Sequence, residues 1–311
     1  LSTHRKKSIA CAESALNLAE RILKPQRLGE VANREALQLL QAKLLEGAES
    51  RSNRPRSPHT VKSTMAAVVA ALNWAVEMEW LQSVPRVRKL KVSKLKQMKG
   101  RPISEAEFEL MLDATETVVG QEAADSWKYV LRGLWESALR LDELLHVSWD
   151  DPRKIMPIWK NDRQPTLSIP ADMQKNATEE SIPLLPGFEL LLEETPDHER
   201  YSWAFNPVSL QTRVGRESGI DRLQTEWVGK VIAKIGRKAG IVVEPAKGKR
   251  PAKYASAHDL RRSCADRLVG MGVAEREVQQ IMRHADSETT RRHYTPDNVE
   301  RSGKLIREAI K

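Results

Sequence analysis

Three short runs near the end of this chain carry most of its chemical potential. They are His258-Asp259-Leu260-Arg261-Arg262, then Met282-Arg283-His284, then Arg291-Arg292-His293-Tyr294. Imidazoles, guanidiniums and a phenol at these intervals suit the handling of a phosphodiester. Breaking that bond without a metal makes three demands: charge on the nonbridging oxygens must be offset, a nucleophile must be held in line, and the leaving 5′-oxygen must receive a proton. Arginine meets the first, because its planar fork donates parallel hydrogen bonds to phosphate and stays charged; Arg140 and Arg261 are the candidates. A tyrosine hydroxyl meets the second, since its covalent intermediate conserves bond energy for resealing. A lysine or histidine meets the third. Taken singly, each residue has an ordinary reading. Arg140 is one of 51 basic residues, His258 could cap a helix, Lys175 sits in a polar loop, and Tyr294 would usually be a packed amphipath.

These groups need elements to position them, and the chain is long enough to build two domains from its 311 residues. Its 40% hydrophobic content suffices for real cores. No apolar run approaches the roughly 18 to 20 residues that cross a bilayer. No continuous apolar core follows the basic start, so no secretory signal is read there. Cys11 and Cys264 match no zinc spacing and make no disulfide framework, which suggests a cytosolic protein without a structural metal. The charge is unevenly spread. Residues 1–100 hold 19 Lys+Arg against 8 Asp+Glu, whereas the whole chain is only +9. Such asymmetry suggests a polyanion partner for the first part.

Apolar spacing predicts helices over 8–24, 30–48 (stopped by Gly47) and 60–80, with Thr60 as an N-cap. A helical domain over residues 1–85 is the result. From Arg86 to Arg101 the sequence has eight basic residues and no acid: Arg86, Arg88, Lys89, Lys91, Lys94, Lys96, Lys99 and Arg101. An interdomain linker along a phosphate backbone is the expected role, each contact releasing counterions. The capping box at Ser104–Glu107 then opens a second domain, residues 102–311. Within it, helices are expected over 104–115, 122–139, 186–194, 222–240, 257–270, 274–283 and 297–310. Strand-like pieces fall near 155–160, 166–170 and 180–185. The expected architecture is mainly α with one small antiparallel sheet.

In order and context, these runs resemble the tyrosine recombinase (phage integrase) family over roughly residues 60–300. The resemblance rests on His258, Arg261, His284 and Tyr294. It extends to Ser137-Ala138-Leu139-Arg140-Leu141-Asp142-Glu143-Leu144-Leu145, which looks like the family's first arginine box, and to Lys175 between two strand-like pieces. It implies a helical, SAM-like core-binding domain that clamps DNA, and an α+β catalytic domain. By position, Arg140 and Arg261 would bind the scissile phosphate, His258 would assist proton transfer, and His284 would hydrogen-bond a nonbridging oxygen. Lys175 would protonate the leaving 5′-oxygen, and Tyr294 would form the 3′-phosphotyrosyl link. Glu143 and Asp259 look like supports that orient the arginines or the histidine. The partners implied are double-stranded DNA and further copies of the chain, a tetramer in the synaptic complex, with no cofactor and no membrane. The implied location is the cytoplasm, at the nucleoid. An inactive DNA-binding protein of this fold and a type IB topoisomerase are the alternatives.

The chain departs from the family pattern at four points. Ala138 stands where the family usually has glycine, and Met282-Arg283 where Leu-Gly is common. Ten residues separate His284 from Tyr294, one more than the most frequent interval. Glu179-Glu180 follows Lys175 where an arginine is common.

Overall fold

The structure is a computed structural model that describes residues 3–50, 54–88, 90–91, 100–159, 163–174, 178–209, 222–248 and 250–283. Its contacts divide the chain into two compact units, Leu1–Lys96 and Gln97–Lys311. Among the described residues no helix is long and apolar enough to cross a membrane.

The first unit is helical: α1 (Thr3–Leu23), α2 (Leu28–Val31), α3 (Arg34–Glu46) and α4 (Pro58–Glu77). The sequence pattern over 30–48 resolves into two helices because Asn33 accepts from the Ala36 N–H and restarts the chain as an N-cap. Gly47 ends α3 in the left-handed region at φ 96°, as its position suggested. At α4 the cap differs from expectation. Ser57, not Thr60, is the N-cap, with its hydroxyl accepting from the Thr60 N–H and Pro58 at the first turn. Leu37, Leu40 and Leu44 of α3 pack against Val61, Met65, Val68 and Leu72 of α4, one apolar stripe per helix. The basic stretch begins inside this unit. Val84, Val87 and Leu90 pack onto the helical core, while Arg86 and Arg88 remain exposed.

The second unit contains α5 (Glu105–Val119), α6 (Gln121–Ser137), α7 (Leu141–Leu145), α8 (Pro186–Glu193), α9 (Thr225–Lys238), α10 (Ala257–Gly270) and α11 (Glu275–Met282). Strands β1 (Met156–Ile158), β2 (Thr166–Ile169) and β3 (Glu180–Pro183) form an antiparallel meander, with Met156 opposite Ser168 and Leu167 opposite Ile182. Leu167, Ile169 and Ile182 alternate with less buried neighbours and point into the core. A second, two-stranded sheet pairs β4 (Val242–Glu244) with β5 (Lys253–Tyr254). The expectation of one sheet is corrected here. Strands this short carry too little alternation to register in a sequence. The architecture is otherwise the mainly helical one expected, with a small antiparallel sheet.

The core lies between α5, α6, α9 and α10. Phe108 stacks on Trp135 with centroids 4.3 Å apart, and Phe205 stacks on Tyr129 and Phe188 at 4.9 and 5.8 Å. Burying each such ring contributes about 2–3 kcal/mol. The Ser104 capping box forms as read: the Ser104 hydroxyl accepts from the Glu107 N–H and the Glu107 carboxylate from the Ser104 N–H. Helix α10 runs through the centre, and the Ser263 hydroxyl accepts from the Ile103 N–H, joining α10 to the start of the domain. Arg267 donates to the Trp135 carbonyl at 2.6 Å and lies over its ring, fixing α10 on α6.

Gly236 is where α9 meets the strand leading into α10. An added Cβ would lie 2.2 Å from the Ala255 carbonyl oxygen and 2.9 Å from its carbon. Backbone cannot yield there as a flexible side chain would. Gly236→Ala is expected to lower the unfolding free energy by about 2 kcal/mol or more, read from urea denaturation. Unchanged stability would mean that α9 is free to move away from residue 255.

Candidate active site

The left-handed residue Ala138 (φ 54°) ends α6 and reverses the chain, so that Arg140 becomes the N-cap of α7. This conformation costs an L-residue about 1–2 kcal/mol. It is held because the Ala138 methyl is buried in a cluster with Cys264, Ala265, Val278 and Met282. Glu143, at the third position of α7, accepts the Arg140 backbone N–H at 2.7 Å and Arg140 Nη1 at 2.8 Å. The Arg140 side chain is 49% exposed, and among the described residues its remaining donors have no partner.

Arg261 approaches the same carboxylate from α10. Its side chain is 2% exposed, with Nη1 donating to the Ala138 carbonyl and Nη2 to the Met282 carbonyl. Nη1 also lies 3.5 Å from Glu143 Oε2. One guanidinium thus ties the α6–α7 turn to the end of α11. Arg283 closes the group from the other side. It ends α11 in the left-handed region at φ 48°, with a side chain 6% exposed. Its Nη2 lies against Glu143 Oε2 as an ion pair lacking hydrogen-bond geometry, and its Nε is buried with no acceptor among the described residues. Burial would raise the Glu143 carboxyl. Arg283, Arg261 and Arg140 outweigh it and hold the group at about 2.

His258 lies three residues before Arg261 on α10, hence on the same face. Its exposed area is large, yet its neighbours crowd the ring enough for desolvation to be the leading cause of its depressed pKa. Burial, then Arg262 and Arg261, push it down to about 4 against the opposing pull of Asp259, with Lys253 adding to the depression. The free protein therefore carries a neutral imidazole at neutral pH, able to take or give a proton. An NMR titration of the ring protons is expected to find His258 protonating near pH 4 and to show its midpoint rising when a phosphate-like anion occupies the site. A midpoint near the ordinary histidine value would mean that neither burial nor the arginines act on the ring.

The structure brings Arg140, Glu143 and Arg261 together, with His258 one turn from Arg261. Lys175, His284 and Tyr294 lie outside the described residues; Lys175 belongs to the β2–β3 connection, and His284 follows Arg283 directly. Asp259 accepts from Arg262 Nη1 at 2.7 Å, from Lys253 Nζ, and from the Ser256 N–H and hydroxyl, and so caps α10. Gly100 fits over this cluster, where a Cβ would meet Asp259 Oδ1 at 2.3 Å.

The linker residues Arg86 and Arg88 share one groove of about 840 Å³ in the first unit with Lys62 of α4. Lys91 is exposed, while Lys89, Lys94, Lys96 and Lys99 lie outside the described residues. Arg101 is not a free cation. Its guanidinium pairs with both oxygens of Glu107 and donates to the Val242 carbonyl at 3.1 Å, inside the second unit. A carboxylate at the start of α5 competes with any phosphate there. Sequence reasoning passed over Arg283 as a site residue and Lys253 altogether. The signal for Arg283 was its place directly before His284; Lys253 gave none.

The fold is shared with solved integrases. It is similar to a lambda integrase dimer bound to a COC′ core site (TM-score 0.60, 14% identity, covering 94% of this chain and 89% of that one). It is also similar to the Tn1549 transposon integrase in complex with transposon right end DNA (TM-score 0.56, 13% identity, 96% and 93% covered). A lambda integrase tetramer bound to a Holliday junction matches as well (TM-score 0.59, 14% identity, 91% and 71% covered). No curated protein matches the sequence. The phage integrase family model matches residues 101–301, spanning Arg140, the sheet, His258, Arg261 and the final tyrosine. With that match over most of its length, the chain belongs to the phage integrase family of tyrosine recombinases.

Proposed function

We propose that this chain is a site-specific DNA recombinase that cleaves and rejoins DNA through a 3′-phosphotyrosyl intermediate at Tyr294, without ATP or metal. The observation that carries the proposal is the gathering of Arg140, Arg261 and Arg283 around the single carboxylate of Glu143, beside a neutral His258. Three guanidiniums against one carboxylate leave an excess of positive charge, and the donors of Arg140 that have no partner among the described residues are available to an anion. Arg140 and Arg261 bind the scissile phosphate and stabilise its pentacoordinate transition state. Such preorganised donors are each worth about 10²–10³-fold in rate. The Tyr294 oxygen forms a bond to phosphorus as the bond to the 5′-oxygen breaks. His258 assists the proton transfers, His284 donates to a nonbridging oxygen, and Lys175 protonates the leaving 5′-oxygen.

The rest of the assignment follows the same reading. Residues 1–85 form the core-binding domain, 86–101 the basic linker, and 102–311 the catalytic domain. The linker cations other than Arg101 follow the phosphate backbone of double-stranded DNA. Recombination uses a tetramer of chains on two duplexes, a reading supported by the lambda integrase tetramer on a Holliday junction. Work on chromosomal DNA fits the cytoplasm, at the nucleoid.

The test is trapping on a nicked suicide duplex made from DNA flanking the gene. Wild-type protein is expected to form a covalent adduct in EDTA, and Tyr294→Phe to form none while binding the duplex nearly as well. An adduct that persists in Tyr294→Phe would overturn the nucleophile, and strict metal dependence would overturn the metal-free mechanism.

A further inference from the structure

Arg283 has no part in the six-residue chemistry above, yet it belongs to the charge cluster around Glu143. Its backbone is fixed: the Arg283 N–H donates to the Gln280 carbonyl at 3.0 Å and closes α11 in the left-handed region. Few side chains accept that conformation, and a buried long cation is an unusual occupant. Its side chain is 6% exposed, and Nη2 meets the oxygen of Glu143 that also faces Arg261. The other Glu143 oxygen takes Arg140 Nη1.

Granted the recombinase reading, we propose that Arg283 is a positioning residue for the phosphate site: it holds Glu143 between Arg140 and Arg261 and keeps that carboxylate from neutralising them. Glu143 Oε2 is within contact of Arg283 but 3.5 Å from Arg261 Nη1. Without Arg283 the carboxylate has, among the described residues, Arg261 and Arg140 to turn to, and it draws Arg261 Nη1 away from the Ala138 carbonyl. Charge counting gives the same result. Three guanidiniums and one carboxylate leave two positive charges in excess; two guanidiniums would leave one. A phosphodiester carries a single negative charge and gains a second as the tyrosine oxygen adds. The third arginine therefore matters more to the transition state than to bound DNA, which is the condition for a catalytic effect.

The test compares Arg283→Gly, Arg283→Lys, Glu143→Gln and the Arg283→Gly/Glu143→Gln double variant on the nicked duplex. Adduct rate and duplex affinity are measured separately, and urea midpoints are recorded. Glycine accepts the left-handed backbone; Arg283→Met, which keeps the apolar stem, carries the same expectation if glycine unfolds the domain. Arg283→Gly is expected to slow adduct formation about tenfold or more with duplex affinity nearly unchanged. Arg283→Lys should recover most of that loss. In the Glu143→Gln background, the glycine change should cost several-fold less than in the wild-type background, because the part of its effect that runs through the carboxylate is already removed. A wild-type rate in Arg283→Gly, a full loss repeated on top of Glu143→Gln, or a lysine variant no better than glycine would each overturn the role. Absence of any Tyr294 adduct in the wild type would instead bring down the recombinase reading, and this role with it.

Discussion

Arg261→Lys is expected to reduce covalent adduct formation by about 10³-fold or more and to lower the unfolding free energy by about 3 kcal/mol. Both effects come from one guanidinium. Arg261 is 2% exposed and donates from Nη1 to the Ala138 carbonyl and from Nη2 to the Met282 carbonyl, with Glu143 beyond. An ammonium is a point donor on a flexible stem and cannot span carbonyls on two sides while also facing a carboxylate. At least one buried acceptor is left without a partner, and Glu143 loses part of its compensation. The catalytic loss follows from displacement as well as from the missing fork. Met282 and Arg283 lead directly into His284, and Ala138 leads into Arg140, so loosening Arg261 moves groups on both sides. Adduct kinetics on the nicked duplex and urea denaturation check the two parts. A variant within tenfold of the wild-type rate would remove Arg261 from the phosphate site, whatever its stability. A stable but inactive variant would instead assign the residue to chemistry alone.

The parts of this fold legible in the sequence are those whose signals are local. The Ser104–Glu107 capping box, the helix over 257–270 and the strand pieces that became β1, β2 and β3 each rest on residues a few positions apart. Ser57 was missed as the α4 cap because Thr60 suits the same role, and only Pro58 at the first turn decides between them. Pairings between distant segments left no trace. Arg101 meets Glu107 six residues away and the Val242 carbonyl 141 away, and nothing in a basic run tells a paired arginine from a free one. The same limit governs Arg261 and Arg262. They are adjacent and both buried, but one faces Glu143 and the other Asp259. The family pattern picked out Arg261 for phosphate. Only the fold shows that Asp259 balances its neighbour and that Glu143 gathers three arginines. Types and order of chemical groups are thus read from a sequence, whereas the sharing of one counter-charge is a tertiary fact.

Glu143→Ala is expected to destabilise the protein by about 3–5 kcal/mol, since it leaves two buried guanidiniums and Arg140 facing one another without a counter-charge. Glu143→Gln, which keeps the shape, should lose less at pH 6, and its deficit should depend on pH. Glu143 is held at about 2, below its ordinary value of 4.5. A carboxyl depressed in the folded state stabilises fully above its unfolded pKa, and that contribution fades as pH falls toward the folded one. The window is therefore about pH 4.5 down to 2, and a shift of this size corresponds to about 3 kcal/mol in all. Urea denaturation of wild type and Glu143→Gln, repeated from pH 6 to pH 3, should show the difference shrinking steadily as acid is added. Other depressed groups also weaken the fold in acid, among them His258 and Glu107. They are present in both proteins, so their contributions largely cancel in the difference. A stability gap that stays constant with pH would mean that Glu143 acts through packing and hydrogen bonds alone. The charge-sharing that ties Arg140, Arg261 and Arg283 into one site would then have no energetic basis.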